Sequence, residues 1–226
     1  MTRVPPNNDR DAVSELTTGR LSVYLRCLTF LESQEQRTVS SGELADRFHL
    51  NSAQIRKDLA CFGEFGTRGV GYDVSRLRQQ LVQALGIDRT RVMIIVGAGN
   101  LGMALADYTG FNSNGFHIVA LLDVDAGKVG RTSRHGIPVL AWSALPDVVR
   151  KNNVEIGIIA VTAESAQLVH DALVDSGIRA ILNFAPVQMR LQEGVKVKSV
   201  DLRINLESLS FHLKNVEDGV TGPFTL

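Results

Sequence analysis

The chain has 226 residues, which is enough for two small domains or one large one. With 44% hydrophobic and 21% charged residues, its composition is typical of a folded globular protein and not of a disordered one. The 24 basic residues balance the 24 acidic ones. This balance argues weakly against a protein held on DNA by bulk charge, but it is compatible with a local basic face.

The polar start of the chain, residues 1–17, has no apolar segment and predicts a flexible N-terminal arm, not a signal peptide. No apolar run is long enough to span a membrane, so we expect no membrane partner and a cytoplasmic location. Cys27 and Cys61 lack metal-ligand spacing and are expected to be reduced, partly buried packing residues. The five histidines show no arrangement with a partner carboxylate, so the pattern indicates no catalytic or metal site.

Three predicted helices occupy the next part of the chain. Residues 20–31 place apolar side chains at helical spacing, and Ser40 with Glu43 forms a capping box that begins a second helix. A third helix begins at Asn51 or Ser52, and its outer face offers side chains that neutralise phosphates or read base edges. These candidate DNA contacts are Ser52, Gln54, Arg56 and Lys57. Alone, the pattern fits a helix-turn-helix and a plain three-helix bundle equally well.

A glycine-rich segment after the third helix favours the helix-turn-helix. Residues 63–72 hold four glycines around Arg68, and they fit a β-hairpin wing that lies along the DNA backbone or minor groove. Glycine allows a close approach to phosphate because it has no Cβ. With an amphipathic helix over residues 74–85, this order indicates a winged helix-turn-helix domain over residues 18–86, in which Arg68 is a further candidate DNA contact.

A phosphate-binding turn follows the apolar strand predicted over residues 92–96. In its G-x-G-x-x-G pattern, Gly97 permits the tight turn, Gly99 lets the backbone approach a pyrophosphate, and Gly102 lets the next helix pack on the strand. The N-terminus of that helix then faces the negative charge. We therefore predict a cofactor-binding turn made of Gly97, Ala98, Gly99, Asn100, Leu101 and Gly102.

Asp123 ends a second apolar strand, over residues 116–122. A carboxylate there accepts hydrogen bonds from the adenosine ribose and repels a 2′-phosphate, which favours NAD(H) over NADP(H). Strands and helices then alternate, including a strand over 137–140 and a helix over 142–150. This alternation predicts an α/β, Rossmann-type, doubly wound parallel sheet over residues 90–204. Further candidate cofactor contacts, at the ends of later strands, are Thr162, Asn183, Phe184 and Pro186.

The last segment, residues 205–226, predicts a dimerisation helix and tail. Leu206, Leu209 and Leu213 share one helical face, flanked by Phe211, and little of the domain is left for them to pack on. Such a helix often docks on a second subunit. A homodimer also suits double-stranded DNA, because two recognition helices read two half-sites one helical turn apart.

Together these motifs resemble the Rex family of bacterial redox-sensing transcriptional repressors, over about residues 18–215. The similar segments are residues 54–59, 62–72, 96–102, 106–108, 123–130 and 181–186. The resemblance implies a homodimer in which the C-terminal helix is swapped between subunits. It also implies that the dimer represses from an inverted-repeat operator, binds NADH in preference to NAD⁺ and leaves the DNA when NADH binds. It also implies that Tyr108 lies near the nicotinamide and that Arg26 and Asp201 form an intersubunit pair. Arg56, Lys57 and Arg68 are implied to contact DNA.

Two alternatives remain at this point. An NAD-dependent oxidoreductase would use the same dinucleotide fold, but nothing after it could form a substrate domain, so we expect no enzyme and no catalytic residue. A nucleotide-binding subunit that resembles the CoA-binding domain of acyl-CoA ligases shares this sheet but would not need the winged domain.

Overall fold

The computed structural model describes residues 15–63, 65–67, 69–112 and 115–218. The chain divides into two compact units, Met1–Arg89 and Thr90–Leu226. Helix already begins at Glu15, so the predicted arm is too long by three residues, and its first 14 residues lie outside the described part. Within the described residues, no helix is both long and apolar enough to cross a membrane.

The described part of the first unit combines four helices with a small antiparallel sheet. Its elements are α1 (Glu15–Ser33), β1 (Thr38–Val39), α2 (Ser41–Phe48), α3 (Ser52–Ala60), β2 (Gly66–Thr67), β3 (Gly71–Asp73) and α4 (Val74–Ala84). The strand order is β1-β3-β2, so the hairpin of β2 and β3 extends from a third, unpredicted strand. The winged helix-turn-helix order predicted from the sequence is therefore present.

Local capping signals set the boundaries of α2 and α3. The predicted capping box is confirmed: Ser40 Oγ accepts from the Glu43 N–H at 3.0 Å, and Glu43 accepts from the Ser40 N–H at 2.6 Å. His49 ends α2 in the left-handed region, with φ 55°. Asn51 then accepts from the Gln54 N–H at 2.9 Å and begins α3, so residues 49–51 form the tight turn of the motif.

The residues described in the second unit form a six-stranded parallel sheet with helices. Its elements are β4 (Arg91–Val96), α5 (Asn100–Ala106), α6 (Thr109–Asn112), β5 (Phe116–Asp123), β6 (Val139–Ala141), a 3₁₀ turn (Trp142–Ala144), α7 (Leu145–Asn152), β7 (Ile156–Ile159), α8 (Ala163–Asp175), β8 (Ala180–Asn183), β9 (Lys196–Ser199) and α9 (Leu202–Glu217). The strand order is β6-β5-β4-β7-β8-β9. This order confirms the doubly wound, Rossmann-type prediction.

The two faces of this sheet carry separate cores. Along β4, Met93 and Ile95 pack in the cluster that includes α5, whereas Ile94 and Val96 pack in the cluster that includes α7 and α8. Strand order reverses between β4 and β7, which are neighbours in the sheet. In open sheets of this kind, ligands bind at the carboxyl ends of the strands beside such a reversal.

The last helix, α9, contrasts with the rest of the unit because none of its side chains is buried. It begins at Leu202, three residues before the predicted boundary at 205. Leu202, Leu206, Leu209, Leu213 and Val216 follow alternating spacings of four and three, and each of them is more than half exposed. This is the spacing of a seam that packs against another helix.

Candidate cofactor site and DNA-contacting surface

The turn between β4 and α5 has the geometry that the glycine pattern predicts. Gly97 adopts φ 103°, and a Cβ there would collide with the Ala160 carbonyl oxygen. A Cβ on Gly102 would collide with the carbonyl oxygen of Gly97. A Cβ on Gly99, in contrast, would meet no atom within 4 Å. The fold itself therefore requires Gly97 and Gly102, whereas Gly99 borders open space.

Exposure divides the six residues of this turn. Gly97, Ala98 and Gly102 are buried, and the exposed ones are Gly99, Asn100 and Leu101. Because α5 has only seven residues, its dipole adds little, and the exposed main chain of the turn is the feature that suits a phosphate.

Asp123 lies at the carboxyl end of β5, next to this turn. Its Oδ2 accepts from the Ala98 N–H at 2.7 Å and from Lys128 Nζ at 3.0 Å, and its Oδ1 accepts from the Asp125 N–H at 2.9 Å. Burial raises the pKa of this carboxyl, but the donors at Asp125, Ala98 and Lys128 outweigh it and lower the pKa below its usual value. The group therefore stays ionised, as recognition of ribose hydroxyls requires. The sequence reasoning did not identify Lys128 as part of this site.

The loop after β8 is shaped by Asn183. Its side chain is fully buried; its amide donates to the Ala185 carbonyl at 2.9 Å and to Ser199 Oγ at 3.3 Å, and its oxygen accepts from the Ala185 N–H at 2.9 Å. In this structure the hydrogen-bonding groups of the Asn183 side chain are used within the loop, and a contact of Asn183 with a ligand stays a prediction. Phe184, half-buried, and Pro186, exposed, remain accessible at this edge.

Two other predicted cofactor residues are exposed at the same unit's surface. Tyr108 is 58% exposed, and its ring packs edge-on against Phe111 with the centroids 4.9 Å apart. Thr162 precedes α8 in an extended conformation, and its hydroxyl bonds to Glu164, which lowers the pKa of that carboxyl. Both side chains therefore reach solvent: Tyr108 lies just after the C-terminus of α5, and Thr162 lies in the turn between β7 and α8.

On the recognition helix α3, the predicted DNA contacts fall into two groups. Arg56 and Lys57 are exposed, and Arg56 donates to Ser41 Oγ on α2 at 2.8 Å. Ser52 is partly exposed at the first turn. Gln54, however, donates its amide to Asp58 at 2.7 Å, so in this conformation its donor faces the protein. Arg68 lies outside the described residues.

A buried carboxylate holds this helix on α1. Asp58 is only 2% exposed and accepts from Arg20 Nε at 2.6 Å, Arg20 Nη2 at 2.8 Å, Tyr24 hydroxyl at 2.9 Å and Gln54. Burial raises its pKa, but the hydrogen bonds from Arg20, Gln54 and Tyr24 outweigh that effect and lower it. The sequence signal for this cluster was an acid between Ile55 and Leu59 on the inward face of the helix.

The two residues of the predicted intersubunit pair belong to different units of the chain. Arg26 is exposed on α1. Asp201 caps α9, where its side chain accepts from the Arg203 N–H at 2.9 Å and pairs with the Arg203 guanidinium at 3.6 Å. The intersubunit pair of Arg26 and Asp201 stays a prediction.

Two expectations about titratable side chains are corrected. Cys61 is exposed and not partly buried; it follows α3, and its thiol donates to the Lys57 carbonyl at 3.4 Å. Cys27 is buried, as expected. Histidines with carboxylate partners do exist, because His170 Nδ1 lies 2.9 Å from Asp171 on α8. The carboxylate belongs to the next residue in the chain, and the sequence alone does not tell whether two adjacent side chains interact.

Two family models match parts of the chain. The model described as "Putative DNA-binding protein N-terminus" matches residues 12–60, and the model described as "CoA binding domain" matches residues 88–187. The redox-sensing transcriptional repressor Rex of Carboxydothermus hydrogenoformans is 50% identical over 202 residues, which cover 89% of this chain and 97% of that protein. The chain belongs to the Rex family. The members of this family are transcription regulators, as the resemblance implied.

Other Rex proteins and solved structures agree with this assignment. Rex of Streptomyces coelicolor is 48% identical over 88% of this chain and 77% of its own length. The structure of RSP in complex with β-NAD⁺ and operator DNA matches with a TM-score of 0.86 and 36% identity, over 91% of this chain and 94% of RSP. RSP in complex with β-NADH matches with a TM-score of 0.81 and 35% identity, over 91% and 96% of the two chains.

Proposed function

We propose that this Rex protein represses transcription from an inverted-repeat operator in double-stranded DNA, that its second unit binds NADH or NAD⁺, and that NADH releases it from the operator. The observation that carries the proposal is the pairing of two sites in one chain. A helix-turn-helix exposes Arg56 and Lys57, and a Rossmann sheet presents the open turn at Gly99 beside the ionised Asp123. A DNA-binding regulator of this kind acts in the cytoplasm of a bacterium.

The chemistry of each residue in the cofactor site indicates which part of the dinucleotide it contacts. The open main chain at Gly99 takes the pyrophosphate, and Asp123 takes the adenosine ribose. Tyr108 and the 184–186 loop face the nicotinamide, and Asn183 positions that loop through its bonds to Ala185. The remaining residues of the site are Gly97, Ala98, Asn100, Leu101, Gly102 and Thr162.

The response to redox state follows from the charge of the nicotinamide. The oxidised ring is cationic and the reduced ring is neutral, so an apolar pocket accepts NADH more readily. If NADH fits an arrangement of the dimer that DNA does not, each ligand lowers the affinity for the other by the same factor. The Arg26–Asp201 pair would link the two units in one of these arrangements.

The direct test is fluorescence anisotropy of the full-length protein on a labelled inverted-repeat operator, at fixed salt, with NADH and NAD⁺ titrated separately. Release by NADH at concentrations where NAD⁺ fails supports the proposal. Specific binding that neither nucleotide changes would contradict the sensing step, and absence of specific binding would contradict the repressor itself.

Arg56 is expected to read a base. Arg56→Ala should weaken operator binding by about 1–3 kcal/mol and leave NADH affinity unchanged, because the residue lies on the recognition helix. Arg150→Ala, which removes an exposed arginine of the second unit, is the matched control and should leave operator affinity unchanged. Equal losses on operator and random DNA would make Arg56 a phosphate contact instead.

The apolar seam of α9 supports a homodimer in which this helix docks on, and is swapped with, the partner. Leu209→Asp is expected to raise the dimer dissociation constant at least about tenfold, because burying one leucine contributes about 1.5–3 kcal/mol and a buried carboxylate adds a cost. Sedimentation equilibrium measures this change, with Glu207→Gln on the same helix as control. A variant that stays as dimeric as the control would exclude α9 from the interface.

We further propose that the protein performs no turnover. The six strands, the helices that connect them and α9 account for the described part of the second unit from Arg91 onward, which leaves no separate substrate domain in that part. Oxidation of NADH with common 2-oxo acids, followed by absorbance, would contradict this. Since one matching family model is named for CoA, nucleotides released on denaturation should also be analysed; release of CoA in place of NAD(H) would contradict the cofactor assignment.

A further inference from the structure

Three hydrogen-bond donors converge on the carboxylate of Asp123 from two segments of the second unit. The Ala98 N–H belongs to the glycine turn, and the Asp125 N–H and the Lys128 ammonium belong to the loop after β5. Two main-chain N–H groups and an ammonium within 2.7–3.0 Å of one carboxylate form an anion cradle. Asp123 fills this cradle with an anion that belongs to the protein.

The charges around the cradle show that Asp123 balances the positive charge of Lys128. Lys128 lies 3.0 Å from Asp123 but 3.9 Å from the carboxylate of Asp125. Asp125 is exposed, and its Oδ1 already accepts from the Gly127 N–H at 2.8 Å. Asp123 is therefore the main counter-charge of Lys128. Its removal leaves the Ala98 and Asp125 N–H groups without this acceptor and Lys128 without its nearer carboxylate.

We propose that Lys128 is a specificity-determining residue for the cofactor, and that the cradle, once Asp123 is removed, accepts the 2′-phosphate of NADP(H). The inference rests on the proposed binding of NAD(H) by this unit, because it is the adenosine ribose that brings a 2′-substituent to this strand end. In the native protein Lys128 holds Asp123 in place to accept from the ribose hydroxyls. Discrimination between NAD(H) and NADP(H) then depends on whether the Asp123 carboxylate or the 2′-phosphate occupies the cradle.

The test is a double-mutant cycle on the full-length protein, with NADH and NADPH titrated by isothermal calorimetry. Asp123→Ser should shift the affinity ratio toward NADPH by about tenfold to a hundredfold, because the phosphate gains charge-assisted hydrogen bonds that the carboxylate occupied. Adding Lys128→Met should remove most of that gain. Adding Arg131→Met, which removes an exposed cation of the same loop, should keep it.

Equal NADPH affinities of the Asp123→Ser protein with and without Lys128→Met would overturn the inference. The single variant Lys128→Met provides a second test, in which Asp123 is unchanged. It should weaken NADH binding about threefold without improving NADPH binding, and unchanged NADH affinity would overturn the positioning role. A native protein that binds neither nucleotide would overturn the proposed function as well, whereas normal NADH binding without dependence on Lys128 overturns this inference alone.

Discussion

Asp58→Ala is expected to lower the free energy of unfolding by about 2–4 kcal/mol and to weaken operator binding strongly. The change leaves the guanidinium of Arg20, the hydroxyl of Tyr24 and the amide of Gln54 without their shared acceptor. Breaking a buried ion pair typically costs about 3–5 kcal/mol, and the expected value is smaller because the Arg20 side chain is 35% exposed. Urea denaturation measures the stability change, and anisotropy measures the operator affinity.

Asp46→Ala is the matched control for this variant, because Asp46 is an exposed acid of α2 in the same unit. Its effect on stability should stay within about 0.5 kcal/mol. If Asp58→Ala unfolds at the same urea concentration as the control, the buried network does not hold α3 in place.

The contribution of Asp58 should also depend on pH. Its pKa is lower in the folded protein than in the unfolded chain, so the stabilisation is complete above the ordinary aspartate pKa of about 3.9 and is lost as the pH falls through the folded value. The difference in stability between the native protein and Asp58→Ala should therefore be constant from neutral pH to about pH 5 and shrink below about pH 4. A difference that grows in acid would contradict this assignment.

Gly99→Val is expected to reduce NADH affinity at least about a hundredfold while leaving the fold intact. The added side chain meets no protein atom within 4 Å, but it fills the space proposed for the pyrophosphate. Loss of two hydrogen bonds to a charged group corresponds to about 3–6 kcal/mol, which is more than a hundredfold. Calorimetry with NADH measures the loss, and operator binding by the variant should no longer respond to NADH.

Gly102→Ala separates this effect from damage to the fold. A Cβ on Gly102 overlaps the carbonyl oxygen of Gly97, so this smaller change should destabilise the unit by about 1–3 kcal/mol. Thermal unfolding should therefore distinguish the two variants. A Gly99→Val protein that still leaves DNA at the NADH concentration of the native protein would refute the placement of the pyrophosphate.

Features with a strong local signal were predicted well from the sequence. The Ser40–Glu43 capping box defined the start of α2, and the strand predicted over residues 116–122 is present as β5, which ends one residue later at Asp123. The predicted strand over 137–140 was displaced, because β6 begins only at Val139, after Pro138, which has no N–H to donate to a ladder. The helix predicted from 142 begins instead with a 3₁₀ turn before Pro146.

Contacts between distant segments could not be read from local patterns. The pairing of Arg20 with Asp58 joins residues 38 positions apart, and it depends on how α1 packs against α3. Likewise, the position of the polar Asn183 at a strand end predicted a ligand contact, whereas in this structure its amide nitrogen donates to the Ala185 carbonyl and to Ser199 Oγ. A polar residue at a strand end indicates either role, and only the position of its partners distinguishes them.

In the proposed mechanism, NADH and operator DNA oppose each other through one protein. Its most direct test is the NADH affinity of the full-length protein, measured by calorimetry with and without saturating operator DNA at the same salt concentration. Operator DNA should weaken NADH binding by the same factor by which NADH weakens operator binding, since the coupling is reciprocal. Equal NADH affinities in the presence and absence of operator DNA would contradict it.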